Sequence, residues 1–261
     1  MGLMLRYEQG VRTHVGRVRK INEDSVLARP RDGLWAIADG MGGHARGQWA
    51  SATIVRALDG VVLPDAFDDA VAAVTATLEA ANAEICRAGH EAGGAIGSTV
   101  VALLIRDDRY AVLWAGDSRA YRCRDRLLAG LTTDHSQVEQ MVASGLLERD
   151  EADNHPMAHV LSRAVGVRET LLLDRIEGDV AAGDVFLLCS DGLSRLVSPL
   201  EIETRLIDTP PAIVAGALIA CALERGAPDN VSVAVIGCDA TTLVELGQRP
   251  AGEGKGERAT W

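Results

Sequence analysis

The sequence has no apolar run long enough to cross a bilayer. The longest, Ala212 to Leu223, holds twelve residues where a spanning helix needs about twenty, so it predicts a buried helix. No Cys-x-x-Cys spacing occurs. The five cysteines, Cys86, Cys123, Cys189, Cys221 and Cys238, are odd in number and sit mostly in apolar stretches, which points to reduced core residues in a cytoplasmic protein. Basic charge is in deficit: the formal net charge of −11 argues against a nucleic-acid surface, while leaving room for a local carboxylate cluster that needs a cation. Met1 to Arg6 is too short and too quickly charged for a signal peptide, and Arg6 breaks the myristoylation pattern. No repeat of fixed period and no dividing linker stand out. A chain of 261 residues with 48% hydrophobic content is therefore expected to build one domain over residues 1–240, followed by a loose tail over 241–261 rich in Gly and charge. The expectation is a cytoplasmic monomer that binds neither membrane nor nucleic acid.

What the sequence does have is aspartate at the ends of apolar runs. Leu34-Trp-Ala-Ile-Ala-Asp39-Gly40-Met41-Gly42-Gly43 reads as a buried strand that delivers a carboxylate to a sheet edge, with glycines that let backbone approach a bound ion or anion. Taken alone it is an ordinary turn signal. The pattern repeats in Trp114-Ala-Gly-Asp117-Ser-Arg119, Leu187-Leu-Cys-Ser-Asp191-Gly192 and Pro228-Asp229-Asn230-Val231.

Strand character is expected over 11–18 and 25–28, around the charged connection Arg19-Lys-Ile-Asn22-Glu23-Asp24. Helices are expected over 45–58 and 65–86, the second from apolar residues Phe67, Val71, Val74, Leu78 and Ile85 at three- and four-residue spacing. Strand pairs follow over 98–105 with 110–115 and 120–124 with 127–131. The stretch 134–165 is long for a connection and reads equally as a cover over a site or as a helical insertion. Its histidines, His135, His155 and His159, lack the spacing of metal ligands on one element and read as structural. A strand over 184–189, helices over 198–207 and 211–225, and a closing strand over 231–236 complete the chain.

Asp39, Asp117 and Asp191 are expected just after strand ends and Asp229 just before a strand begins, and antiparallel pairing can bring such positions to one edge. Carboxylates gathered there repel unless protonated or bridged by cations. An all-oxygen donor set selects hard ions such as Mg²⁺ or Mn²⁺, and two of them about 4 Å apart activate water and clamp a phosphoryl group. Arg19 offers a planar fork for two phosphate oxygens, and Glu23 or Asp24 could hold metal-bound waters.

Seven motifs then carry a resemblance. Arg19-x-x-Asn22-Glu23-Asp24, Asp39-Gly-Met-Gly-Gly43, Gly97-Ser-Thr99, Gly116-Asp-Ser-Arg119, Asp134-His-Ser136, Ser190-Asp-Gly192 and Asp229-Asn230 follow one another in the order found in the metal-dependent protein phosphatases of type 2C. The chain resembles that family over residues 12 to about 237. The resemblance implies an α+β fold, a four-layer α-β-β-α sandwich of two mainly antiparallel sheets flanked by helices. It further implies a site of two Mn²⁺ or Mg²⁺ ions, with a third in bacterial members. Matched motif by motif, Asp39 would bridge both ions, the Gly40 carbonyl would bind one, and Asp191 and Asp229 would hold the other. Asp117 with Asp191 would take the third ion, Arg19 the phosphate, and Glu23, Asp24 and Asn230 would support the centre. The implied activity is hydrolysis of phosphoserine and phosphothreonine in proteins by direct attack of metal-bound hydroxide, on substrates of a serine/threonine kinase. Met41 stands where many eukaryotic members carry a histidine proposed as general acid, so this chain resembles the bacterial branch. A binding module that has lost activity, and a different two-metal phosphohydrolase such as a nuclease, are the alternatives. The matched metal positions speak against the first, and the acidic charge against the second.

Overall fold

The computed structural model describes residues 5–43, 45–148, 151, 155–157 and 160–240. His44, His159 and the expected tail over 241–261 lie outside them. Among the described residues, eleven strands form two sheets. The first contains β1 (Leu5–His14), β11 (Val231–Ala240), β10 (Val185–Cys189), β7 (Arg119–Arg124) and β8 (Leu127–Gly130), in that spatial order. The second runs β2 (Asp24–Arg29), β3 (Leu34–Met41), β5 (Val100–Arg106), β6 (Arg109–Ala115) and β9 (Asp174–Asp179), with the short β4 (Gly97–Ser98) pairing the end of β3. Every pairing is antiparallel.

The layers follow from which strands are apolar on both faces. In β3, Leu34, Ala36 and Ala38 turn to one side, and Trp35 and Ile37 to the other. The first set packs under helices α1 (Ala45–Gly60) and α2 (Phe67–Glu91), while the second meets Phe186, Leu188, Ala234 and Ile236 of the facing sheet. A strand covered on both faces reads as a continuous apolar run, which is what residues 34–38 show. On the far side, Leu187, Val233 and Val235 pack against α5 (Pro199–Leu206) and α6 (Pro211–Glu224). The result is the expected α-β-β-α sandwich. The five cysteines are free and buried, and no described helix is long and apolar enough to cross a membrane.

Three elements differ from the sequence reading. The first strand occupies Leu5–His14 rather than 11–18, because the chain leaves the sheet at Gly16, whose φ of +83° turns it toward Ala227 and Asp229. Arg17 N then donates to Ala227 O at 2.8 Å. Strand β9, Asp-Arg-Ile-Glu-Gly-Asp, has no expectation behind it: it is a largely polar strand at the edge of its sheet, held by pairing with β6. A single helical turn, α4 (Asp191–Ser194), is equally unexpected and carries Asp191 at its start.

Candidate active site

Strand pairing assembles the acidic cluster. Register sets Asp24 opposite Asp39 on β2 and β3. Asp117 follows the end of β6, Asp191 opens α4 after β10, and Asp229 precedes β11. Asp39 thus lies within its strand, not beyond it. Asp39, Asp117, Asp191 and Asp229 line one cleft of about 1140 Å³ together with Arg19, Glu23, Gly40, Met41, Thr99 and Asn230.

The glycines after Asp39 and Asp191 have a steric reason. A Cβ on Gly40 would lie 2.0 Å from Gly47 O of α1, and one on Gly192 would lie 1.9 Å from Asn230 O. Each Asp-Gly pair therefore marks a place where backbone segments close on each other beside a carboxylate. Thr99 Oγ1 accepts from Asp39 N at 3.1 Å and shares a 2.7 Å bond with Ser118 Oγ, while Ser98 Oγ donates to Asp39 O at 2.9 Å.

Burial raises the Asp39 pKa well above the usual carboxylate range, and the charges of Asp24, Asp191, Asp117 and Asp229 push it further. Asp24 is raised to about 7, chiefly by burial, against the opposing hydrogen bonds of Ser232 and Ser190. Asp117 also reaches about 7, from burial and the charge of Asp191, with Arg195 pulling the other way. A cluster that resists ionisation in this manner is a cluster short of positive charge.

Two arginines contribute some of it. Arg19 Nη2 bonds Asp229 Oδ2 at 2.8 Å from a half-exposed position, and Arg195 reaches both Asp191 and Asp117. Sequence reasoning missed Arg195, although its four-residue spacing from Asp191 on a helical turn was a usable signal. Among the described residues no group of three acidic, histidine or cysteine side chains already forms a metal-holding set. The donors nonetheless fit a hard cation. They are all oxygen, Asp117 and Asp191 are buried, and Asp24 Oδ1 is buried without a hydrogen-bond partner, an acceptor that a cation or its water shell would satisfy.

The supporting residues divide by task. Asp24 Oδ2 accepts from Ser190 Oγ at 2.9 Å and Ser232 Oγ at 2.6 Å, which ties β2 to the opposite sheet. Asn230 acts as a brace: its Nδ2 donates to Val15 O and Ile21 O, and its Oδ1 accepts from Glu23 N at 2.7 Å. It thereby positions the Arg19 loop against Asp229. The 134–165 stretch supplies α3 (Gln137–Ala143) and one wall of the cleft, including Gln140, Met141 and Leu161. Both its ends are tied down. Arg119 holds Asp134 with two bonds of 2.9 and 2.8 Å, Ser136 bridges Leu161, and Val165 bridges Ser98. His135 is structural, as expected: Gly116 N donates to its Nδ1, and its Nε2 lies 3.2 Å from Asp174.

A two-sheet sandwich whose sheet edge gathers carboxylates beside an arginine fork is an arrangement whose chemistry suits hard cations and an anionic ligand. The family model for Protein phosphatase 2C matches residues 13–215. The chain is 38% identical over 238 residues to the serine/threonine protein phosphatase PstP of Mycobacterium tuberculosis, covering 89% of this chain and 45% of that protein. It therefore spans less than half the length of that relative. With the serine/threonine phosphatase stp of Listeria monocytogenes it shares 32% identity over 246 residues, covering 88% of this chain and 95% of the relative. Among solved structures, PppA, described as a key regulatory component of T6SS in Pseudomonas aeruginosa, superimposes with a TM-score of 0.85 at 38% identity, covering 91% of this chain and 100% of that one. The catalytic domain of PstP in complex with two manganese ions gives a TM-score of 0.82 at 35% identity, over 90% of this chain and all of that one. The chain belongs to the protein phosphatase 2C family.

Proposed function

We propose that this chain hydrolyses phosphoserine and phosphothreonine in proteins, using two Mn²⁺ or Mg²⁺ ions held in the acidic cleft. The observation that carries this reading is the convergence of Asp39, Asp191 and Asp229 on one cleft with Arg19 beside them, in a member of this family. Asp39 would bridge the ions, the Gly40 carbonyl would hold one, and Asp191 and Asp229 the other. When bound, the ions supply ionisation of water at neutral pH and positive charge for the phosphoryl group.

The chain's own residues do the rest. Thr99 and Ser98 fix the backbone of Asp39, and Glu23 or Asp24 would hold water beside the ions. Arg19 presents its fork to the phosphate and shares its charge with Asp229 until substrate arrives. The nucleophile in this reading is water. The five cysteines are buried, and the thiol of Cys189, at the end of β10, is pushed up to about 12 by burial. Met41 lines the cleft and, as a thioether, has no proton to give the departing alkoxide, so that proton comes from water. We further infer that residues 1–240 form the catalytic unit, acting as a cytoplasmic monomer on products of serine/threonine kinases.

Incubation with a phosphothreonine peptide and with a single-stranded oligonucleotide, in Mn²⁺ and in chelator, tests the reading. It expects phosphate from the peptide in Mn²⁺ alone. Peptide binding without turnover, or cleavage of the oligonucleotide, contradicts it.

A further inference from the structure

Between Asp117 and Asp191 lies a guanidinium. Arg195 Nη2 is 2.5 Å from Asp191 Oδ2 and 3.2 Å from Asp117 Oδ2. The two carboxylates are buried, with side-chain exposures of 12% and 8% for Asp191 and Asp117, whereas the arginine side chain is 36% exposed. Local backbone builds the contact: Asp191 is the first residue of α4, Arg195 is the residue that caps it, and Arg195 N donates to Asp191 O at 3.0 Å. One helical turn therefore returns the arginine onto the aspartate four residues before it.

We propose that Arg195 is a resident cation for the Asp117–Asp191 pair, so that this chain holds no third divalent ion there and its metal complement ends with the core site. The inference rests on the proposed two-ion reading only for what the core holds. Two independent features carry it. The guanidinium contacts an oxygen of each carboxylate on which a third ion would depend. The further carboxylate whose charge reaches Asp117, Asp134, has both oxygens held by Arg119. A divalent ion would have to lose water and displace a tethered arginine, which is charged throughout the working pH range and present at high effective concentration. The family's bacterial pattern, in which these two aspartates take a third ion, thus gives way in this chain to an internal ion pair.

Equilibrium dialysis against Mn²⁺, with bound metal counted by atomic spectrometry, tests this without reference to turnover. Arg195→Ala is expected to bind one ion more than the unmodified protein, and the extra ion is expected to vanish in Arg195→Ala combined with Asp117→Asn. Asp117→Asn alone is expected to leave the count of the unmodified protein unchanged, and this comparison decides the matter if Arg195→Ala does not fold. Equal counts in Arg195→Ala and the unmodified protein, or loss of one ion from Asp117→Asn alone, would overturn the proposal. Failure of the two-ion core shows separately, as an unmodified protein that binds no Mn²⁺ while the increment in Arg195→Ala still reports on Arg195.

Discussion

Arg19 has two partners in prospect, the Asp229 it touches at 2.8 Å and the phosphate it is proposed to bind. Charge-assisted hydrogen bonds of this kind are worth about 1.5–3 kcal/mol, so Arg19→Ala is expected to lower kcat/KM roughly 10- to 100-fold and to weaken inhibition by inorganic phosphate in parallel. Lysine lacks the planar fork, and Arg19→Lys is expected to recover only part of both. Steady-state kinetics with phosphate as inhibitor checks this, and phosphate inhibition undiminished in Arg19→Ala would reduce Arg19 to a loop charge. At this scale the sequence was informative where chemistry and sterics coincide. Asp39 and Asp191 each precede a glycine that no larger residue could replace without meeting backbone, and that pairing is visible in the letters. Arg195 was not legible as a partner of Asp117, because the two come from elements 78 positions apart and only the fold makes them neighbours. Asn230 was legible as a member of the site but not as a brace, since its three bonds reach backbone that any residue could supply.

Elements, rather than residues, set the height of Asp39 in the cleft. The end of β3 leaves β5 and pairs with β4, and at this crossover Thr99 accepts from Asp39 N and joins Ser118. Thr99→Val keeps the volume while removing a buried acceptor, and its expected cost is about 1–3 kcal/mol of stability, together with weaker Mn²⁺ affinity as Asp39 loses its anchor. Thermal unfolding and a Mn²⁺ titration read the two effects; no change in either would show that β3 holds Asp39 without this threonine. Buried strands such as β3, β5 and β10 were readable because both of their faces are apolar. β9 was not, because an edge strand of acidic and basic residues has no hydrophobic period, and its pairing is dictated by β6. The span of β1 was misread for a related reason: only its partner, β11, defines where it starts, and only the turn at Gly16 defines where it stops.

For the whole molecule, the acidic cleft makes stability depend on pH and metal together. Asp24 and Asp117 rise from 3.8 to about 7 on folding, so without metal the native state binds more protons than the unfolded chain. Stability from these groups is complete below about pH 4 and declines as pH rises through about 7. The metal-free protein is therefore expected to lose unfolding temperature between about pH 4 and 7 and to level off above it, with Mn²⁺ restoring it. At a hundredfold excess over Kd the restoration is roughly 3 kcal/mol, or about 5–10 °C for a domain of this size. Calorimetry across this range checks it, and a metal-free unfolding temperature that rises with pH would contradict the electrostatic account. The sandwich itself was legible because the motifs occur in order along most of the chain. The depth at which the carboxylates are buried was not, since burial is a property of both sheets at once. Asp39 sits at the centre of the cluster, where the charges of Asp24, Asp191, Asp117 and Asp229 all act on it. Turnover of a phosphothreonine peptide by Asp39→Asn and by the unmodified protein, across a buffered Mn²⁺ series, isolates its role. The account predicts that the unmodified protein is active only with metal, and that Asp39→Asn falls by at least about a hundredfold while remaining folded. Near-normal turnover by Asp39→Asn at the same free Mn²⁺ would contradict it.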